Sequence, residues 1–190
     1  MPRNNTANVS VGKGVAGGYF YTAPVGTTLP TDYSSDLNDA FVNAGFLTDE
    51  GFTASTDADN ETFQDLNGDT IESANSSVEH TLGLQFAEMN EQSLKEVVGQ
   101  SNVTVASGMI TVTRNSTQMS ARALVLELVL KDGRRWRRVV PNAKVTSWDD
   151  MTIAASELVT MPVTYSLSPD AAGNYYYDYI QEVVSPSESE

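Results

Sequence analysis

Two acidic runs are the first residues in this chain whose spacing suggests chemistry. Asp57-Ala58-Asp59-Asn60-Glu61 and Asp65-Leu66-Asn67-Gly68-Asp69 crowd the oxygen ligands that calcium favours. An EF-hand loop also needs Gly at its sixth place and a bidentate Glu at its twelfth. Counted from Asp57, those places hold Thr62 and Gly68; counted from Asp65, they hold Thr70 and Ser76. Neither run qualifies, so the carboxylates read as turn and surface groups and no metal site is expected. The single histidine, His80, shares an apolar strand face, and no Ser-His-Asp arrangement can be singled out around it. It reads as a core or interface side chain. Gly12-Lys13-Gly14 and Gly17-Gly18 lack the spacing of a phosphate loop. We expect no cofactor, no catalytic residue and no enzyme.

The most pointed cluster is basic. In Arg134-Arg135-Trp136-Arg137-Arg138, strand alternation puts Arg134, Trp136 and Arg138 on one face and Arg135, Arg137 and Val139 on the other. Four guanidiniums beside an aromatic ring suit phosphate, but they equally suit carboxylates across a protein interface. The chain as a whole repels DNA, with 25 Asp and Glu against 11 Lys and Arg. Arg134, Arg135, Trp136, Arg137 and Arg138 are therefore candidates for a subunit interface. Tyr175, Tyr176, Tyr177 and Tyr179 are expected to pack on the body or on a neighbour.

The charge is unevenly spread. Between Lys13 and Lys95 there is no Lys or Arg, while fourteen carboxylates run from Asp32 to Glu91. Opposite-signed segments are what a head-to-tail assembling subunit needs, although a solvated acidic surface has the same pattern. With no cysteine, the chain has no disulfide framework or thiolate site. No apolar run reaches the roughly 20 residues of a membrane-spanning helix, since Glu127 interrupts the longest. The N-terminus lacks the apolar stretch of a signal peptide, so synthesis in the cytoplasm is expected.

The elements that must position these residues are mostly strands. Val78, His80, Leu82, Leu84 and Phe86 share one parity; so do Leu124, Leu126, Leu128 and Leu130, and again Met161, Val163, Tyr165 and Leu167. Pro162 cannot donate to a ladder, so its strand should lie at an edge or bulge there. Asn67-Gly68 and Asp132-Gly133 read as hairpin turns, and Ser107-Gly108 as a tight hairpin or a bulge. Leu37, Ala40, Phe41 and Ala44 have helical spacing, with Ser35 as cap and Gly45 as stop. A second helix should start at Asn90, turn Leu94, Val97 and Val98 inward, and stop at Gly99. The expected fold is mainly β, two packed antiparallel sheets or a small barrel with one or two short flanking helices. The length suits one domain, over residues 14–184, between an N-terminal arm (1–13) and a flexible tail (185–190).

The order of segments resembles a known family. Asn8-Val9-Ser10-Val11-Gly12-Lys13, then Gly18-Tyr19-Phe20-Tyr21-Thr22-Ala23-Pro24-Val25-Gly26-Thr27-Thr28-Leu29-Pro30-Thr31-Asp32, is similar to the start of major tail tube proteins of long, non-contractile-tailed bacteriophages. The likeness continues through Ala44-Gly45-Phe46-Leu47-Thr48-Asp49-Glu50-Gly51-Phe52-Thr53, Asn142-Ala143-Lys144-Val145-Thr146 and Tyr165-Ser166-Leu167-Ser168-Pro169-Asp170, so that it covers roughly residues 8 to 180. The resemblance implies a virion protein of the tail. Its subunits would form hexameric rings stacked into a hollow tube, meeting tail-tip and tail-terminator proteins and passing DNA without holding it. In that setting Asp65, Glu72 and Glu79, with Asp57, Asp59, Glu61 and Asp69, are expected to line the channel. The alternative is another virion β-module, a head decoration or tail-tip protein.

Overall fold

The computed structural model describes residues 4, 6 and 9–183. Its strands are β1 (Lys13–Gly14), β2 (Phe20–Pro24), β3 (Val42–Asn43), β4 (Leu47–Gln64), β5 (Thr70–Phe86), β6 (Val103–Ala106), β7 (Met109–Val112), β8 (Arg122–Val129), β9 (Arg135–Trp148), β10 (Met161–Leu167) and β11 (Tyr177–Ile180). The helix α1 (Glu91–Val98) follows β5. The chain is mainly β; the described residues pair antiparallel in two sheets and form one α-helix. The expected tail (185–190) and Asn8 lie outside the described residues.

Two compact units alternate along the chain. The first takes the described residues up to Phe46, Ala121–Asn142 and the described residues from Pro169 onward. In it β2 pairs with β8 from Phe20↔Leu126 to Pro24↔Arg122, β3 adds to β2, and β11 pairs with the first part of β9. Strand β8 is buried on both faces, because its sequence Arg-Ala-Leu-Val-Leu-Glu-Leu-Val has apolar side chains at both parities. Ala23, Phe41, Ala123, Val125 and Val139 form a core cluster under Tyr21, Leu29, Leu37, Tyr177 and Tyr179. Leu37 and Phe41 thus face inward as their spacing suggests, but the segment is not a helix. Asn38 bends the chain instead: its side chain accepts from the Ala40 N–H and its carbonyl from the Phe41 N–H. Ala44 then donates to the Phe20 carbonyl beside β3, and Ser35 meets Arg137 rather than capping a turn. Asx-type turns at Asp32 and Asn38 outcompete a helix that Asp36, Asn38 and Asp39 weaken.

The second unit takes Leu47–Ser120 and Ala143–Ser168. Here the end of β9, β10, β5 and β4 stand in that order, and Leu82, Leu84, Phe86, Val145, Met161, Val163, Tyr165 and Leu167 are buried. Helix α1 begins where its sequence says it should. Asn90 accepts from the Ser93 N–H at 2.8 Å, Ser93 Oγ accepts from the Asn90 N–H at 3.0 Å, and Gly99 ends the helix at φ 102°. The helix turns Leu94 and Val97 inward, and the indole of Trp148 donates to the Val97 carbonyl at 2.6 Å. The turns at Asn67-Gly68, Ser107-Gly108 and Asp132-Gly133 close β4–β5, β6–β7 and β8–β9. Strand β10 is internal, pairing with both β5 and β9, so the expected edge position of Pro162 needs correction. Pro162 lies beyond the end of the β9 pairing, which starts at Val163↔Trp148, and the bulge falls at Thr164/Tyr165.

Candidate functional site

Strands β4 and β5 continue past the core of their unit as a two-stranded ribbon. From Thr53 onward in β4 and before His80 in β5 every residue is exposed, on both faces. Cross-strand partners share a face, so the register assigns each side chain a side. Asp57↔Glu79 and Asp59↔Ser77 lie on one face, and Thr56↔His80 and Ala58↔Val78 on the other. The hydrogen bonds agree, since Ser77 Oγ donates to Asp59 at 3.1 Å and Thr56 Oγ1 lies 3.0 Å from His80 Nδ1. A bulge between Asp59 and Asn60 leaves Ser76 extra, so β4 keeps its alternation and Glu61 and Phe63↔Glu72 stay on the side of Asp57. Asp57, Asp59, Glu61, Glu72 and Glu79 therefore share one face. The opposite face holds Ala54, Thr56, Ala58, Asn60, Thr62, Ser73, Asn75, Val78 and His80 and no carboxylate. That uncharged face continues inward to the buried Leu82, Leu84 and Phe86.

Asp65 and Asp69 sit in the turn at the tip instead. Asp65 Oδ1 accepts from the backbone N–H of Asn67 at 2.8 Å and of Asp69 at 2.9 Å. The Asp69 and Asn67 amides hold its carboxyl below the usual carboxylate range. Gly68, at φ 86°, lets the turn close. The seven sequence candidates thus divide into five on one ribbon face and two in a turn.

The arginine cluster belongs to the first unit, and the alternation expected of it is present. Arg137 is 3% exposed and faces the interior, where Nε and Nη2 each lie 2.7 Å from Glu127 Oε1. Its other donors bind the Asp32 carbonyl at 2.9 Å and the Ser35 carbonyl at 2.8 Å, so one buried guanidinium pins the 32–35 loop. On the other face, Arg138 donates twice to Asp178, at 2.8 and 2.7 Å, and lies over the rings of Tyr176 and Trp136. Burial opposes the charge of Arg138, but the Asp178 hydrogen bonds and charge raise its pKa above the ordinary value. Trp136 Nε1 also donates to Asp178 at 2.8 Å. Arg134 reaches Ser10 Oγ at 2.8 Å, and Arg135 is exposed. Two of the four guanidiniums thus find carboxylates within their own chain, where sequence reasoning looked to a neighbour. Glu127 was the missed signal: one acid inside the apolar run Ala123–Val129 calls for a buried cation, and Arg137 has the parity to supply it.

Among the described residues no group of three or more His, Asp or Glu could hold a metal ion. No described helix is long and apolar enough to cross a membrane. The molecule instead offers surfaces.

No curated protein matches the sequence. Among solved structures, the anti-feeding prophage cap, the AFP tube terminating cap determined by cryo-EM, aligns with 92% of this chain and 96% of its own, at 14% identity and a TM-score of 0.43. The family profile described as phage tail tube protein matches residues 1–189. The chain therefore belongs to the phage tail tube protein family, and it is a structural protein of a bacteriophage tail.

Proposed function

We propose that this chain is the repeating subunit of a hollow tail tube, in which hexameric rings stack and the acidic face of the β4–β5 ribbon lines the DNA channel. The observation that carries this reading is the segregation of Asp57, Asp59, Glu61, Glu72 and Glu79 onto one ribbon face. DNA must travel far along the bore without stopping, so strong cationic contacts would each have to be broken. A wall of fixed negative charge repels phosphate uniformly and leaves DNA free to slide. At physiological salt the Debye length is about 8 Å, so only charges on the wall itself act on the passing duplex. Asp65 and Asp69, engaged in the turn, serve the shape of the tip rather than the wall.

The ribbon also argues for assembly on general grounds. A two-stranded hairpin exposed on both faces is marginal in water. Closing sheets from several copies into one barrel gives such strands partners and removes their edges. Virions carrying Asp59→Lys, Glu72→Lys and Glu79→Lys together should build tubes of normal length but release DNA slowly or stall. Unchanged release rates would reject the channel assignment. Purified protein that forms only monomers or trimers under conditions where tail proteins polymerise would favour a decoration role instead.

A further inference from the structure

The turn at the end of the β4–β5 ribbon holds the one Asn-Gly step in the sequence, Asn67-Gly68. At such a step the backbone can attack its own side chain. Glycine has no Cβ to block the approach, so its nitrogen can reach the Asn Cγ and close a five-membered succinimide. Both residues are exposed, and a Cβ built on Gly68 would meet nothing within 4 Å. Neither space nor water limits the reaction there. What restrains it is Asp65. The Gly68 N–H donates to the Asp65 carbonyl at 3.1 Å, which engages the attacking nitrogen. The Asn67 amide that must leave donates from Nδ2 to Asp65 Oδ2 at 3.2 Å. Asp65 Oδ1 also holds the backbone N–H groups of Asn67 and Asp69, at 2.8 and 2.9 Å. One residue thus binds the nucleophile, the leaving group and the peptide groups on either side of the step.

We infer that Asn67 is a spontaneous modification site of this chain and that Asp65 sets its rate. With the turn intact, the reaction waits for an opening in which Gly68 leaves the Asp65 carbonyl. The Gly68 nitrogen then loses its proton to solvent and bonds to Asn67 Cγ. The Cγ–Nδ2 bond breaks, and the side-chain nitrogen departs as ammonia. Water opens the succinimide at either carbonyl. Opening at Cγ yields aspartate, which adds a carboxylate to an already acidic turn. Opening at the Asn67 backbone carbonyl yields isoaspartate, in which the main chain runs through Cβ and Cγ. That product lengthens the chain by one carbon between the amides that Asp65 binds, so those bonds cannot all keep their geometry. The fixed shape of the turn is therefore a property of the unmodified chain. A second exposed step on the same ribbon, Asn75-Ser76, is slower because serine carries a Cβ, and Asn75 pairs with Asn60 well away from the turn.

The test incubates the purified chain at mildly alkaline pH and locates aspartyl and isoaspartyl products by peptide mass spectrometry. Asp65→Ala should speed conversion at position 67 roughly tenfold, since hydrogen bonds need no longer break before the ring closes. Asp65→Asn keeps one acceptor oxygen and should fall between this variant and the wild type. Asn67→Gln should remove the signal at that position, because glutamine would have to close a larger ring. Asn75 is the internal reference, and its slow conversion should be the same in every variant. Equal rates at position 67 in the wild type and Asp65→Ala, or a parallel rise at Asn75 that reports melting of the whole ribbon, would overturn the role of Asp65. An Asn67 that stays intact in Asp65→Ala would overturn the site itself.

Discussion

The hairpins β8–β9 and β4–β5 are built alike and end in glycine-containing turns, yet they treat charge in opposite ways. In β8–β9, both faces of β8 are buried, and the one carboxylate in it, Glu127, meets Arg137 at 2.7 Å. In the outer β4–β5 ribbon both faces meet solvent, and five carboxylates share a face that has no cation on it. Burial explains the first pattern, because an ionised group out of water costs several kcal/mol unless paired. Water tolerates the second, so pairing is not required and the segregation needs another cause. The lesson is that matched charge marks the part of this subunit finished by its own folding. On the proposed reading, unmatched, one-sided charge marks the part that assembly completes.

The strongest way to break that comparison is at the buried pair. Arg137→Ala should cost about 3–5 kcal/mol, because it leaves Glu127 buried without its partner and frees the 32–35 loop. The neighbouring exposed Arg135→Ala should stay within about 0.5 kcal/mol. Chemical denaturation of the two variants measures both, and equal losses would contradict the assignment of Arg137 to the interior.

A smaller effect is expected at the ribbon. Replacing Asp57, Asp59, Glu61, Glu72 and Glu79 by Asn or Gln should change unfolding free energy by less than about 1 kcal/mol, with a slight gain from relieved repulsion. A large loss of stability would mean that these carboxylates are held by stabilising pairs within the subunit and are not kept for a lumen.

The smallest effect concerns the tip. The Asp65 carboxyl is held below its ordinary value of 3.8, first by the Asp69 amide and then by that of Asn67. Its folded-state pKa is depressed, so its contribution is complete above the unfolded value and is lost as pH falls through the folded one. The titration midpoint read from the amide resonances of Asn67 and Asp69 should therefore lie below 3.8. Movement of those resonances around pH 5 or 6 would show that the turn does not depend on this carboxylate.

Much of this was legible in the sequence, and the failures have physical causes. Alternation at Val78–Phe86, Leu124–Leu130 and Met161–Leu167 located strands, and Asn90 with Gly99 bracketed the helix, because those signals are local. The 36–45 segment deceived because inward-facing Leu37, Phe41 and Ala44 also fit a chain bent by side-chain hydrogen bonds, and spacing alone cannot separate the two. Sequence reading grouped seven carboxylates, but only register could divide them. The bulge at Asp59/Asn60 keeps Glu61 and Glu72 on the acidic face, and no residue type announces such a bulge. The Arg137–Glu127 pair spans a hairpin and becomes visible once β8 is known to be buried on both sides.

The central claim is that the acidic ribbon face lines the bore of an assembled tube, and a density map of that tube tests it most directly. Our account expects Asp57, Asp59, Glu61, Glu72 and Glu79 to project into the lumen, with the face of Ala58, Asn60, Val78 and His80 covered by protein. A map with those five carboxylates on the outer surface of the tube, or paired with cations of a neighbouring subunit, would contradict it.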